Sequence, residues 1–300
     1  VLVCALATGA PFEANYDESK VPEYHLPELL VDTAGRPVTT GEQWEQARRP
    51  ELLRLFEEHV YGKPPAEPVK MSILREETSV APEKNAVRRQ LTLQLRRNGR
   101  SVDLDILIYL PEDAPRPVPG FLTLNFWGNH SISDDPGIWL SRSWVRNDPE
   151  RGIEDHKATE TSRGKSAHRW PLGKILERGY ALATVYYGDI DPDFDDGFRN
   201  GVHALFPEQE DGERAADAWG SVAAWAWGLS RVMDYLQNEP ELDTERLAVM
   251  GHSRLGKTAL WAGATDPRFA LVISNNSGCG GAALSRRCVG ETVGKITRTF

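Results

Sequence analysis

The order of the apolar runs predicts an α/β fold, a three-layer sandwich built on one mostly parallel sheet. Two alternating runs, residues 87–95 and 102–110, flank Asn98-Gly99 and predict an antiparallel hairpin in the N-terminal part. A near-continuous apolar run over residues 179–187 is typical of a parallel strand that is buried on both faces. Strands that then alternate with helix-like segments complete the α/β pattern.

The other elements are predicted from local signals. Pro50 and Gly62 bracket a helix over residues 51–61, and Pro171 precedes a short helix over residues 172–177. The remaining predictions are strands at 121–126, 247–250 and 269–274, and helices at 215–237 and 258–262. Residues 128–169 are polar without periodicity and indicate a functional loop, whereas the acidic run 189–211 indicates a solvated surface. We predict one domain over residues 11–300.

Composition limits the function. A net charge of −9 disfavours nucleic acid, whose phosphates attract stripes of Lys and Arg. No apolar run is long enough to cross a bilayer, so no membrane partner is expected. The three cysteines show no metal-ligand spacing, and neither a metal nor a cofactor is predicted. We expect a monomer.

The first ten residues, 1–10, are apolar, begin with Val1 and end in small residues. This pattern indicates the remnant of a signal peptide and a secreted or periplasmic protein. The alternative is a buried first strand. Cys279 and Cys288 would remain after cleavage, and either they pair or Cys279 is a small buried thiol.

Ser253 lies where the predicted strand 247–250 turns into a helix. Gly251 stands two residues before it, and Gly256 takes the place of the glycine that usually follows at the second position. A strand, a serine flanked by glycines and a helix make a nucleophile elbow, which exposes the serine hydroxyl above the sheet. The pattern therefore predicts an α/β-hydrolase sandwich, with Ser253 as nucleophile and the Arg254 amide as an oxyanion donor.

Two cations follow the serine. Arg254 and Lys257 are three positions apart and lie near one face of the predicted helix. Positive charges at a helix N-terminus oppose the helix dipole, so an anion or a developing oxyanion nearby would explain them. The alternative is a solvated surface.

The run Gly251 to Lys257 resembles the G-C-S-R-x-G-K motif of the glucuronoyl esterases, carbohydrate esterase family 15. Segments that resemble its bacterial branch are residues 15–18, 124–130, 186–192, 277–283, 285–287 and 290–292. The resemblance implies an esterase that cleaves the ester between 4-O-methyl-glucuronate of xylan and lignin alcohols, or small glucuronate esters, through a glucuronoyl-enzyme on Ser253. It also implies that Arg254 stabilises the oxyanion, and that Lys257 and Glu291 bind the hydroxyls of the uronate.

The triad partners are missing from this pattern. In an α/β hydrolase the histidine follows the nucleophile, but residues 254–300 contain none. Their only carboxylates are Asp266, predicted to be a turn residue, and Glu291, assigned above to the substrate. We therefore expect a chain that is incomplete at its C-terminal end, with triad histidine and acid elsewhere. His130 precedes the nucleophile, and a loop or substrate-contact role is expected for it.

Two alternatives stay open. One is a non-catalytic glucuronoxylan-binding relative that lacks the triad histidine. The other is a different α/β hydrolase, such as an acetyl xylan esterase or a peptidase. The pair Arg254 and Lys257 disfavours the second alternative, because an acetyl group offers a cationic site no partner.

Overall fold

The computed structural model describes residues 14–82, 86–207 and 214–296. The predicted signal-peptide remnant at residues 1–10 lies outside these ranges. Within them, none of the helices combines the length and the apolar character that a membrane span requires.

In the described chain two α-helices precede a run of six strands, after which α-helices and strands intermingle. The strands are β1 (Lys70–Val80), β2 (Ala86–Arg97), β3 (Arg100–Pro111), β4 (Val118–Asn125), β5 (Ile153–Glu154), β6 (Lys157–Ala158), β7 (Ala181–Tyr186), β8 (Leu242–His252) and β9 (Leu271–Asn275). The α-helices are α1 (Gly41–Gln43), α2 (Arg49–Phe56), α3 (Leu172–Glu177), α4 (Tyr187–Ile190), α5 (Ser221–Leu236), α6 (Arg254–Thr265) and α7 (Val293–Ile296). Two π-helical turns, Trp44–Arg48 and Glu57–Tyr61, flank α2.

One sheet of seven described strands carries the fold, in the order β1-β2-β3-β7-β4-β8-β9. Strands β1, β2 and β3 are antiparallel, and β3 also runs antiparallel to β7. Strands β7, β4, β8 and β9 are mutually parallel. The predicted hairpin turn is confirmed, because Asn98 and Gly99 adopt φ angles of 50° and 79°.

Apolar clusters cover both faces of the sheet, so the sheet and the helices on either side form three layers. Leu104, Ile106 and Ile108 of β3 pack on the side of helices α5 and α6, where Trp219 and Trp225 are fully buried. The alternate β3 residues Leu107 and Tyr109 face a smaller cluster with α3 on the opposite side. This alternation follows from the period of two in a strand, and it confirms the predicted sandwich.

Two elements differ from the sequence prediction. Strand β1 was not predicted, because its side chains are mostly exposed and show no apolar alternation. Helix α5 begins at Ser221 and not at residue 215, because the Lys63 amide donates to the carbonyl of Asp217 at 2.8 Å and holds that segment extended. Gly62 permits this contact, since a Cβ there would lie 2.4 Å from the Ala218 carbonyl oxygen.

Candidate active site

The backbone at Ser253 has the strained geometry of a nucleophile elbow. Its φ is 56° and its ψ is −127°, a backbone conformation that residues other than glycine rarely adopt. The Ser253 amide donates to the carbonyl of Asn275 at 2.9 Å, and its own carbonyl accepts from the Gly256 amide at 2.8 Å. Gly256 packs against the end of β9, where a Cβ would lie 3.0 Å from the Asn275 oxygen. The shifted glycine therefore serves this elbow by admitting the neighbouring strand.

Sheet topology brings distant loops to Ser253. The carboxyl ends of parallel strands meet at one edge of a sheet, which is where α/β proteins place their sites. The segments that leave β4, β7, β8 and β9 therefore start at the same edge. These segments contain Arg146, Asp193, Arg254 and Glu291.

Arg254 makes an ion pair that the sequence did not predict. Its Nη1 donates to both carboxylate oxygens of Asp193 at 2.6 Å. The same carboxylate accepts from Arg146 Nη2 at 2.6 Å and from the Tyr187 hydroxyl at 2.8 Å. The Asp193 side chain is only 7% exposed, so the carboxylate depends on these donors. An available signal was its position, shortly after a buried parallel strand.

Lys257 and Glu291, the two residues that the resemblance assigns to the substrate, contact each other. Lys257 Nζ lies 3.0 Å from Glu291 Oε2, and the Lys257 side chain is 3% exposed against 35% for Glu291. The amide of Cys279 donates to the same carboxylate oxygen at 3.1 Å. Gly278 has a φ of +64°, and a Cβ there would stand 2.4 Å from Glu291 Oε2. The cation is thus buried, and the carboxylate is its more accessible partner.

The N-terminal segment holds the loop that carries Glu291. The Gly290 amide donates to the Asn15 carbonyl at 2.7 Å, and Glu18 forms an ion pair with Arg287. The Tyr61 hydroxyl donates to the carbonyl of Gly280 in the same loop. The motif at residues 15–18 therefore contacts a segment that lies far along the chain.

The first members of the acidic run after β7 are buried, so the prediction of a solvated surface was wrong for them. Asp189 and Asp191 are buried, and burial raises the pKa of each carboxyl to about 7. Asp189 accepts from the Ser143 hydroxyl at 2.6 Å and from the Asp105 amide at 3.1 Å. The run therefore fastens the loop after β7 to β3 and to the polar loop 128–169.

His130 has the loop role that was one of its two expected roles, and the alternative, a substrate contact, was wrong. It is fully buried, its Nε2 lies 2.7 Å from Ser162 Oγ, and its Nδ1 accepts from the Ser141 amide at 3.4 Å. Burial, with a smaller effect of Arg163, lowers the pKa of the imidazole to about 4. A neutral, enclosed ring with both nitrogens engaged cannot reach a substrate.

The His130 imidazole gives a prediction about stability and pH. Its folded-state pKa of about 4 lies below the ordinary 6.5, so its contribution is complete above pH 6.5 and is lost as the pH falls towards 4. The destabilisation caused by His130→Gln should therefore shrink by about 2 kcal/mol between pH 7 and pH 5. Urea unfolding at both pH values measures this, with the uncharged Thr123→Val as control. A pH-independent difference would contradict it.

No base for Ser253 is found in the described ranges. None of the histidines there is hydrogen-bonded to Ser253, and the adjacent His252 faces Asn275, with Nδ1 3.2 Å from Nδ2. Asp266 accepts from the Arg268 backbone amide and side chain and so is the turn residue that was predicted.

Cys279 and Cys288 are free thiols, and Cys279 is buried. The described residues include no group of three or more His, Cys, Asp or Glu side chains that could hold a metal ion.

Comparisons with known proteins agree with this geometry. The family model for fungal glucuronyl esterase matches residues 212–298. Carbohydrate esterase MZ0003 from an unknown prokaryotic organism is 48% identical over 286 residues, which are 95% of this chain and 66% of that protein. The chain thus spans just under two thirds of that relative's length.

Solved structures extend the comparison to the fold. A promiscuous family 15 esterase from a marine bacterial metagenome superposes with a TM-score of 0.87 at 47% identity, covering 96% of this chain and 72% of that one. The glucuronoyl esterase from Solibacter usitatus gives 0.82 at 45% identity, covering 90% and 68%.

A more distant structure carries a ligand. A mutant glucuronoyl esterase from Sporotrichum thermophile, in complex with methyl 4-O-methyl-β-D-glucopyranuronate, gives a TM-score of 0.54 at 25% identity, covering 87% of this chain and 55% of that one. The two bacterial structures share this fold, are 47% and 45% identical to this chain, and are covered over 72% and 68% of their length. The strained backbone at Ser253 agrees with this likeness. The chain belongs to carbohydrate esterase family 15.

Proposed function

We propose that this protein is a serine esterase that hydrolyses esters of glucuronic acid. The preferred natural substrate would be the ester between 4-O-methyl-glucuronic acid of glucuronoxylan and a lignin alcohol. One observation carries the proposal: the strained Ser253 is followed directly by Arg254, and one turn later by the Lys257–Glu291 pair. The short segment from Ser253 to Lys257, together with Glu291, would thus supply a nucleophile, an oxyanion stabiliser and a polar pair for sugar hydroxyls.

The chemistry follows from these positions. Ser253 Oγ would attack the ester carbonyl, and the alcohol would leave as the glucuronoyl-enzyme forms. Arg254 would stabilise the oxyanion with its backbone amide and its guanidinium, which helps because the negative charge develops only in the transition state. Water would then release glucuronate. The serine needs a proton acceptor, and the proposal assigns none within the described residues.

The uronate ring would be recognised at Lys257 and Glu291. An ammonium donates hydrogen bonds and a carboxylate accepts them, so the pair offers both roles to a sugar hydroxyl. Charged partners make the stronger hydrogen bonds, and a site built for hydroxyls disfavours substrates that lack them. This recognition separates a glucuronate ester from a simple acetate.

Substitutions at this pair should affect sugar esters selectively. Lys257→Met and Glu291→Gln are each expected to lower kcat/KM for methyl glucuronate about 10- to 100-fold, because one charged hydrogen bond to the substrate is lost. The kcat/KM for p-nitrophenyl acetate, which has no sugar hydroxyls, should change less than about threefold. Lys174→Met, on an exposed position of α3, is the matched control. Equal losses on both esters would contradict the assignment.

A direct comparison of esters tests the function. The protein, produced from its complete gene, would be assayed with methyl 4-O-methyl-glucuronate and with acetylated xylan. The proposal expects rapid hydrolysis of the glucuronate ester. Cleavage of the acetyl ester alone would favour an acetyl esterase, and binding of glucuronoxylan without hydrolysis would favour a non-catalytic relative.

The place of action is part of the same proposal. Polymeric xylan lies outside the cell, so we infer a secreted or periplasmic protein. N-terminal sequencing of the mature protein would test whether residues 1–10 are removed.

A further inference from the structure

The Asp193 carboxylate accepts hydrogen bonds from three segments of the chain, near the sheet edge where the parallel strands end. Arg254 comes from the elbow helix α6, Arg146 from the polar loop after β4, and Tyr187 from α4. All three donate to one carboxylate that is 7% exposed. A buried carboxylate with several charged donors is held in a single geometry, and it holds its partners in turn.

We propose that Asp193 is a positioning residue that fixes the direction of the Arg254 guanidinium for the oxyanion of the reaction on Ser253. The inference rests on the proposed function, because it concerns how the oxyanion is stabilised. Both carboxylate oxygens lie 2.6 Å from the same Arg254 nitrogen, Nη1, which ties one branch of the guanidinium fork to the loop after β7. The Arg254 side chain is 18% exposed, so solvent does little to hold it.

The net charge of the cluster gives a reason for a second arginine at Asp193. A single Asp193–Arg254 pair would be neutral and would weaken the field that an oxyanion meets. Arg146 also contacts Asp193 and is 54% exposed, so the three side chains together carry a net charge of +1. The cluster thereby combines a fixed arginine with a residual positive charge beside the nucleophile, and a preorganised charge of this kind is what stabilises a developing oxyanion.

The position of Asp193 argues against a role in stability alone. An ion pair that only joined two loops would have no reason to involve the residue that immediately follows the nucleophile. Here the partner of Asp193 is Arg254, the first residue of α6 after Ser253. Substitution of Asp193 should therefore change the rate of the reaction more than the binding of the substrate.

The test uses the full-length protein with Asp193→Asn, Asp193→Glu and the control Asp195→Asn. Asp195 lies two residues away, is exposed and accepts only a local amide among the contacts described, that of Gly197 at 3.0 Å. Asp193→Asn should lower kcat for methyl glucuronate about 10- to 100-fold and leave KM within about threefold, since loss of a complete oxyanion donor gives about 100- to 1,000-fold. Asp193→Glu should recover part of kcat, and Asp195→Asn should resemble the wild type.

A second readout separates this inference from the proposed function. An uncharged p-nitrophenyl phosphonate labels a reactive serine whatever the natural acyl group, and its rate also depends on oxyanion stabilisation. If glucuronate esters are not cleaved but Asp193→Asn slows labelling of Ser253 at least tenfold, the substrate proposal fails and the role of Asp193 stands. If kcat and labelling both stay within twofold of the wild type, or fall only in proportion to unfolded protein in a thermal melt, the role of Asp193 is refuted. Absence of labelling in the wild type would overturn both.

Discussion

Substitution of Ser253 by alanine is expected to reduce kcat for glucuronate esters by at least about 10⁴-fold. No acyl-enzyme can form without the hydroxyl, and removal of a serine nucleophile leaves only the residual rate that binding and the oxyanion site provide. The measurement is kcat for methyl 4-O-methyl-glucuronate, with mass spectrometry of the intact protein after a rapid quench to detect the glucuronoyl-enzyme.

An intact fold and a control variant would show that the loss of activity comes from the missing Ser253 hydroxyl. The fold should persist, because alanine keeps the Cβ and no described hydrogen bond to the helix depends on the Ser253 side chain. Ser277→Ala, at another buried serine near the same edge, serves as control for general damage, since its hydroxyl accepts from the Ala282 amide and has no chemical role in the proposal. A Ser253→Ala enzyme with a kcat within tenfold of the wild type would refute Ser253 as nucleophile.

Substitution of Gly251 by alanine is expected to destabilise the fold by about 3 kcal/mol or more and to abolish activity. A Cβ at this position would lie 1.9 Å from the Leu255 carbonyl oxygen and 2.3 Å from its carbon. These are backbone atoms of α6, so no side chain can move aside. Gly251 has an ordinary negative φ, and the penalty is therefore steric and does not come from the dihedral angle.

Urea unfolding of Gly251→Ala, with activity on methyl glucuronate, measures both effects. Gly173→Ala in α3 is the matched control, because a Cβ there meets nothing within 4 Å. The control should be neutral or stabilising by up to about 1 kcal/mol, since alanine favours a helix. An equal effect of both substitutions would contradict the steric explanation.

The contacts around Arg254 also distinguish this elbow from a generic one. The charges that follow Ser253 are matched by carboxylates from two different loops, Asp193 for Arg254 and Glu291 for Lys257. Unpaired, two cations in the first turn would oppose the helix dipole. Their partners reduce this penalty and hold both cations in fixed positions. The proposal assigns Arg254 to the reacting carbonyl and Lys257 to the sugar.

Local signals predicted the elements that depend on a few neighbouring residues. Asn98-Gly99 marked the hairpin because both positions adopt a positive φ, and Pro171 marked the start of α3. Strand β1 escaped prediction since its exposed side chains follow no alternation. The start of α5 depended on Lys63, a residue far away in the chain, which no local pattern could reveal.

By itself the sequence determined the elbow, because the order of strand, Gly251, Ser253 and helix is local. The resemblance of this motif indicated roles for Arg254 and Lys257, and that of residues 290–292 indicated one for Glu291. Only the tertiary structure decided what these charges contact. Asp193 stands 61 residues before Arg254, and the two meet because parallel strands β7 and β8 end at the same edge of the sheet on either side of β4. Burial is also decided only by the tertiary structure. It encloses Asp189 and Asp191, which the sequence pattern had indicated to be solvated, and these two carboxyls support the loops around the candidate site.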